Sequence, residues 1–195
     1  MKVLLVYANP IASSLNGEIK LVVEESLVSS GHEIDVIDLY ADRFDPVLTL
    51  EERKAYFETT FRRGDLAADY AKRLMNAEGL VFVFPTWSMG PPAILKGFFD
   101  RVFGPDVSFS LDEDGNLLPN LQHITKVVAI VTYGRERLVL WWFGDPPRRM
   151  IKRWLKWFLA PSANVRFLAL YNLHKPNENR VANFLTKVRR TMANF

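Results

Sequence analysis

The sequence has no cysteine among its 195 residues. Disulfides, thiolate-bound metals and cysteine nucleophiles are therefore excluded, and the absence fits a reducing compartment. No apolar run approaches the roughly 20 residues that a membrane-spanning helix needs. The opening stretch MKVLLVYANP is interrupted too early for a signal peptide. We therefore expect a cytoplasmic protein without an integral membrane segment.

Histidine and excess charge are also scarce. The net charge is +3, and the three histidines, His32, His123 and His174, are scattered along the chain, so we predict neither a metal site nor a catalytic histidine. The most basic stretch, residues 148–156, has apolar residues at helical spacing, which favours a solvated basic face. A helix lying on a membrane surface is the alternative. We do not expect nucleic-acid binding, which requires a basic face with base-stacking aromatics.

Apolar runs alternate with helical patterns along the whole chain. The predicted strands are 3–8, 33–39, 79–84, 126–132 and 165–170, and the predicted helices are 16–29, 65–77, 92–103, 146–159 and 178–192. Irregular excursions fall near 40–65 and 104–122, and DEDGN at 112–116 predicts a hairpin turn. The alternation predicts an α/β domain of 1–195 with a parallel sheet between two helical layers. Five strands suit the flavodoxin-like order 2-1-3-4-5 or a small Rossmann-like one.

The loop after the first strand, NPIASSLNG at Asn9–Gly17, leads into a helix N-terminus. Free backbone N–H groups and the helix dipole point out of such a loop, and the polar side chains of Ser13, Ser14 and Asn16 add to them. This arrangement predicts a cradle for a phosphate. The alternative is that Ser14 or Asn16 only caps the helix.

The loop after the third strand contains a tryptophan and a methionine in a proline-stiffened turn, PTWSMGPP at 85–92. A rigid turn can hold Trp87 against a flat aromatic ligand. Backbone N–H groups of Ser88, Met89 and Gly90 can then bond to the edge of that ligand. The alternative is that Trp87 and Met89 only pack the loop onto the core.

The loop after the fourth strand, TYGRERLVLWWFGDPP at Thr132–Pro147, is unusually apolar. Tyr133 and Gly134 stand at the strand end, where ligands of open parallel sheets bind. The segment LVLWWF at 138–143 must be buried against the core, a ligand or another subunit.

Three motifs together resemble the NAD(P)H:quinone oxidoreductases, flavodoxin-like flavoenzymes related to the modulator-of-drug-activity proteins. They are the polar first loop, the stretch FPTWSMGPPAILKGFFDRVF and the TYG after the fourth strand, of which PPAILKGFFDRVF is the most specific. The resemblance implies a homodimer with bound FAD or FMN. It also implies that hydride passes from NAD(P)H through flavin N5 to a quinone or similar aromatic acceptor by a ping-pong route.

The resemblance also implies roles for particular residues. The implied cofactor contacts are Asn9, Ser13, Ser14, Leu15, Asn16, Pro85, Thr86, Trp87, Ser88, Met89, Thr132, Tyr133 and Gly134. Tyr133 and Gly134 are the implied catalytic positions, and the implied substrate walls are Trp87, Trp141, Trp142 and Phe143. The histidine that the family uses in its third loop has no counterpart in 132–147, so that role is not carried over.

Two other functions remain open on the sequence. A flavin-binding ancillary subunit of a potassium-efflux system would bind the cofactor with weak turnover, and a flavodoxin-like electron carrier would usually present an acidic rim. The sequence does not discriminate FAD from FMN. It does not discriminate NADH from NADPH either, since no clear basic cluster along the chain marks a 2′-phosphate site.

Overall fold

A five-stranded parallel sheet forms the centre of the computed structural model, which describes residues 1–57, 64–175 and 177–195. The strands are β1 Lys2–Tyr7, β2 Glu33–Asp38, β3 Gly79–Pro85, β4 Phe109–Leu111, β5 Leu117–Pro119, β6 Lys126–Thr132 and β7 Asn164–Leu170. The sheet has the order β2-β1-β3-β6-β7, while β4 and β5 form a separate antiparallel pair. The predicted order 2-1-3-4-5 is therefore confirmed, with β6 and β7 as its fourth and fifth strands.

Helices cover both faces of this sheet. They are α1 Leu15–Ser29, α2 Leu50–Lys54, α3 Asp65–Met75, α4 Ala93–Val102, α5 Arg137–Trp142, α6 Pro146–Arg149 and α7 Glu178–Ala193. Residues of α1 and α7 share one apolar core with one face of the sheet. Residues of α3, α4 and 150–160 share the other core. The central strands are apolar and buried on both sides because helices cover both of their faces.

The basic segment predicted as one α-helix at 146–159 is only partly α-helical in the structure. It begins as α6 but continues as a π-helical segment, Met150–Leu155. The predicted core stripe is kept at Ile151, Leu155 and Phe158, whereas Trp154 is partly exposed. Asp145 stands at the predicted N-cap position but makes no capping hydrogen bond, since its carboxylate is engaged elsewhere.

The two predicted excursions have structure of their own. The DEDGN turn closes the β4–β5 hairpin, as predicted. In the first excursion, α2 begins with a capping box between Thr49 and Glu52. Glu52 is buried against Arg101 of α4, with 2.7 Å between Glu52 Oε1 and Arg101 Nη2. Residues 58–63 of that excursion lie outside the described residues.

None of the helices among the described residues has the length and apolar character needed to cross a bilayer.

Candidate functional site

The loops that follow β1, β3 and β6 meet at Thr132, the last residue of β6. The side-chain amide of Asn16 donates to Thr132 Oγ1 at 2.9 Å, which ties the start of α1 to β6. The backbone N–H of Thr86 donates to the carbonyl oxygen of Thr132 at 2.9 Å, which ties the loop after β3 to the same residue. Parallel strands present their carboxyl ends at one edge of the sheet, where ligands bind in such folds. Thr132 therefore fixes the relative positions of all three predicted ligand loops.

The first loop has several backbone N–H groups without a protein acceptor among the described residues. Asn9 is buried, and its Oδ1 accepts from the N–H of Ile11 at 2.9 Å, which shapes the loop. Ser14 caps α1 by accepting from Gly17 N–H at 3.3 Å, so the capping alternative is confirmed for Ser14. The backbone amides of Ser13, Leu15 and Asn16 have no protein acceptor among the described residues. Three such donors at the start of a 15-residue helix favour an anion. The predicted side-chain contribution differs, because Ser14 Oγ accepts from Gly17 and the side-chain amide of Asn16 donates to Thr132. The phosphate cradle itself stays a prediction.

Glycine at position 17 is required by this close packing. A Cβ built there would lie 1.8 Å from the carbonyl oxygen of Ala12. The loop can therefore fold back over the first turn of α1 only because residue 17 has no side chain.

Asn16 carries an unsatisfied buried acceptor at the same place. Its side chain is buried, its Nδ2 is engaged with Thr132, and its Oδ1 has no partner among the described residues. A buried polar atom without a partner is destabilising by about 1–3 kcal/mol, and such atoms are rare in folded proteins. A ligand with an N–H or O–H group would satisfy it.

The second loop makes a strained two-residue turn. Trp87 N–H donates to Gly90 O at 3.0 Å, and Gly90 N–H donates back to Trp87 O at 2.9 Å. Between them Ser88 and Met89 have φ of 48° and 64°, as in a type I′ turn. Left-handed backbone at two residues other than glycine concentrates strain here, as ligand-binding loops often do.

This turn changes the predicted set of donors. The amide of Gly90 is not available to a ligand because it closes the turn. The amides of Ser88 and Met89 make no backbone hydrogen bond among the described residues. Trp87 is 44% exposed and packs edge-on against Tyr40, with 6.4 Å between ring centroids. The indole thus lies beside the turn against Tyr40, and Pro85 is buried as the last residue of β3.

The third loop begins with a tyrosine, Tyr133, that lies inside the protein. The tyrosine is fully buried, and its hydroxyl donates to Asp145 Oδ1 at 2.7 Å. Its N–H donates to Leu170 O, and its carbonyl accepts from Leu173 N–H. Burial first, and then the bond to Asp145, raise the pKa of this hydroxyl far above its ordinary value. All polar groups of Tyr133 are thus engaged, which fits a positioning residue better than the predicted catalytic one.

Gly134 lies at the surface beside a histidine. A Cβ built on Gly134 would lie 2.8 Å from His174 Nε2, so the imidazole lies against this glycine. His174 lies in the loop after β7, and no sequence motif predicts its approach to the end of β6.

Most of the apolar segment 138–143 lies in the short helix α5, which ends at Trp142, and Phe143 follows as its C-cap. Leu140 is buried, whereas Trp141, Trp142 and Phe143 are 76%, 75% and 50% exposed. No ring contact joins these aromatics to Trp87 within the part of the chain that the structure describes. The predicted substrate residues therefore form two separate groups in this chain: Trp87 beside its turn, and the residues of α5 on an exposed face.

The match to known proteins agrees with this architecture. The family model described as flavodoxin-like fold matches residues 1–158. The chain belongs to the flavodoxin-like fold family. The predicted relationship to the quinone oxidoreductases within this fold is also confirmed by the names of similar proteins.

Three similar proteins illustrate this relationship. A ribosyldihydronicotinamide dehydrogenase-like protein, traD, of Penicillium crustosum is 37% identical over 119 residues, covering 53% of this chain and 44% of the relative. An FMN-dependent NADH:quinone oxidoreductase of Lachnoclostridium phytofermentans is 29% identical over 146 residues, covering 72% and 69%. The crystal structure of Smu.1420 from Streptococcus mutans UA159 is 33% identical with a TM-score of 0.83, covering 100% of both chains. The chain spans about half the length of several of the curated relatives it matches.

One polar network of this family member was not anticipated from the sequence. Asp145 has a left-handed backbone, and its Oδ2 accepts from Arg148 Nε at 2.8 Å. Arg148 Nη2 donates to the hydroxyl of Tyr171 at 2.9 Å, and Tyr171 stacks on Tyr133 with 4.8 Å between centroids. The network joins the loop after β6 to the end of β7, between residues too far apart in sequence for any motif to connect.

Proposed function

We propose that this chain is a flavin-dependent NAD(P)H reductase for quinones or similar aromatic acceptors. The observation that carries the proposal is the junction at Thr132, where three ligand loops meet beside open amides and the unpaired Oδ1 of Asn16. The names of two similar proteins support it, since one is a ribosyldihydronicotinamide dehydrogenase-like protein and the other an FMN-dependent NADH:quinone oxidoreductase.

The residues present fit a flavin. The cradle formed by Ser13, Leu15 and Asn16 suits its phosphate, because helix N-termini favour anions. The free amides of Ser88 and Met89 suit the polar edge of its ring system. FMN fits the name of one relative, and FAD remains the other candidate.

A bound flavin supplies two-electron chemistry, accepting hydride from the nicotinamide and giving it to the acceptor in a ping-pong cycle. The chain itself contributes orientation. Thr132 fixes the loops, and Tyr133 holds the third loop through its bond to Asp145. Trp87 offers a partly exposed aromatic ring beside the turn.

The first test is a visible spectrum of the purified protein, followed by anaerobic addition of NADH or NADPH and then menadione. Flavin bands that bleach with a nicotinamide and return with menadione support a quinone reductase. Flavin bands that do not respond would instead favour the ancillary-subunit alternative. Absence of flavin after reconstitution with both FMN and FAD would contradict the whole proposal.

We also propose that the protein is a cytoplasmic homodimer that uses the exposed face of α5. Leu138, Trp141 and Trp142 lie at helical spacing on that face and are each at least 75% exposed, and such patches usually mark interfaces. Light scattering after size exclusion at micromolar concentration should give twice the chain mass. Trp142→Ser should shift it toward the monomer, whereas Trp157→Ser, on another exposed tryptophan, should not. A wild-type protein that is monomeric and fully active would refute the dimer.

A further inference from the structure

A basic cavity lies between α5, the turn into α6, the π-helical segment and the end of β7. Its volume is about 450 Å³, within the range of small-molecule sites. Five cationic side chains line it, namely Arg137, Arg148, Arg149, Lys152 and Arg153. Along the sequence these cations are divided between two segments. The fold brings them to one cavity because α5 turns back at Gly144, which has a φ of 80°.

The guanidinium of Arg148 is oriented by its neighbours in a way that favours anion binding. Its Nε and Nη2 are engaged with Asp145 and Tyr171, and its guanidinium lies 4.4 Å from the ring centroid of Phe167. Its Nη1 has no acceptor among the described residues. A guanidinium fixed on three sides loses little conformational entropy when its remaining donor binds a ligand.

The excess of positive charge in the cavity predicts a ligand with more than one negative charge. Among the described residues of its lining, Asp145 is the only carboxylate, and that carboxylate already accepts from Tyr133 and Arg148. The other walls include the aromatic rings of Trp141 and Tyr171. Cations beside aromatic rings suit a phosphate ester carried by a base, because phosphate binds the cations and the base stacks.

The position of the cavity connects it to the cleft. Tyr171 lines the cavity and stacks on Tyr133, which directly follows Thr132. The stacked rings of Tyr171 and Tyr133 thus connect the cavity to the residue that follows the junction of the three loops. If the nicotinamide of a dinucleotide binds at the junction, its phosphorylated adenosine can bind at a second site nearby, such as this cavity.

We propose that this cavity binds the adenosine 2′-phosphate end of NADPH and makes the protein prefer NADPH over NADH. The proposal rests on the proposed function, because it assigns the hydride donor of the same site. A phosphorylated adenosine also occurs in FAD, so the test separates the two sources.

The test compares Arg137→Gln/Lys152→Gln with Lys156→Gln. The first variant neutralises two exposed cavity residues, and the control neutralises an exposed lysine nearby that does not line the cavity. Isothermal titration with 2′,5′-ADP and with 5′-AMP measures binding directly. Wild type should bind 2′,5′-ADP more tightly. The double variant should lose about tenfold of that affinity or more, the size of one lost charged contact, and the control should match wild type.

Steady-state kinetics give the second readout. The ratio of kcat/KM for NADPH to that for NADH should fall about tenfold in the double variant. Equal 2′,5′-ADP affinity in the double variant and the control would overturn the proposal. Selective loss of FAD with unchanged 2′,5′-ADP affinity would also overturn it, since the cavity would then serve the flavin. If 2′,5′-ADP binding depends on Arg137 and Lys152 but no nicotinamide reduces the protein, the proposed reductase function fails while the phosphate site stands.

Discussion

Thr132 holds the candidate cleft together through one side chain and one carbonyl. Thr132→Val keeps the shape of the residue and its carbonyl but removes the oxygen that accepts from Asn16. We expect FMN to bind about tenfold more weakly, because the buried amide of Asn16 loses its fixed orientation. Equilibrium titration of the apoprotein with FMN measures this. Thr125→Val is the matched control at an exposed threonine before β6. Equal FMN affinity in both variants would contradict the role given to Thr132.

Tyr133→Phe separates a catalytic from a positioning role. The hydroxyl is buried against Asp145, so we expect the free energy of unfolding to fall by about 1 kcal/mol. We expect kcat to change only a few-fold, since the hydroxyl is buried and already donates to Asp145. Urea denaturation followed by circular dichroism and steady-state kinetics provide the two measurements. A loss of turnover by orders of magnitude at normal stability would restore the predicted catalytic role.

Local sequence predicted the place of single residues and the cap at Ser14, but not the bond between Asn16 and Thr132. Ser14 and Asn16 stand just before and just inside an amphipathic pattern, and the structure places both at the first turn of α1. The partners of Asp145 could not be predicted, because its backbone conformation and the approach of Tyr171 both depend on the tertiary fold. The same holds for His174 beside Gly134.

At the scale of an element, the turn Trp87–Gly90 is the most strained of the three loops. Met89→Val puts a β-branched residue at a φ of 64°, where its backbone is disfavoured by about 1–3 kcal/mol. We expect lower thermal stability together with weaker flavin binding, because the turn must change conformation to relieve the strain. Met75→Val in α3 is the control, since its backbone is helical. Equal melting temperatures and FMN affinities for the two variants would argue against a strained binding turn.

Helices and strands were predictable from the sequence where the spacing of apolar residues follows a single pattern. The continuous apolar runs of β1, β3 and β6 have no polar face, which indicates strands covered on both sides, and their observed bounds differ from the predicted ones by a residue or less. The winding of 150–155 was not predictable, because a π-helix keeps Ile151 and Leu155 in the core just as an α-helix would. The helix α5 was not predicted for a different reason: most of its apolar residues do not face the core.

At the scale of the whole molecule, the buried pair Arg101–Glu52 anchors the first excursion to α4. Both side chains are buried, and Arg101 also donates to the carbonyl oxygen of Asp45. Arg101→Met leaves Glu52 buried without its cation, so we expect a loss of about 3–5 kcal/mol in unfolding free energy. Lys96→Met, which removes an exposed ion pair with Asp100 in the same helix, should lose less than about 1 kcal/mol. Similar losses in the two variants, measured by urea denaturation, would show that the buried pair is not an anchor.

The same pair predicts an acid limit to stability. Burial alone would raise the pKa of Glu52, but hydrogen bonds from Arg101 and from the amides of Thr49 and Gly64 lower it below its ordinary value. A lowered pKa contributes stability that is present above the unfolded value of about 4.3 and is lost as pH falls through the folded value. Thermal melts from pH 7 to pH 3 should therefore show a steeper acid loss in wild type than in Glu52→Gln. Parallel curves would contradict this assignment.

The positions of the tryptophans determine how this protein can be observed by its own fluorescence. All five, Trp87, Trp141, Trp142, Trp154 and Trp157, are at least 39% exposed. Because water reaches part of every indole in the folded protein, we expect unfolding to shift the tryptophan emission less than it would for buried indoles. Three of them stand at the proposed sites: Trp87 in the turn Trp87–Gly90, Trp141 at the basic cavity and Trp142 on the exposed face of α5. Intrinsic fluorescence of this chain is therefore a probe of encounters at its surface and a poor probe of the integrity of its core.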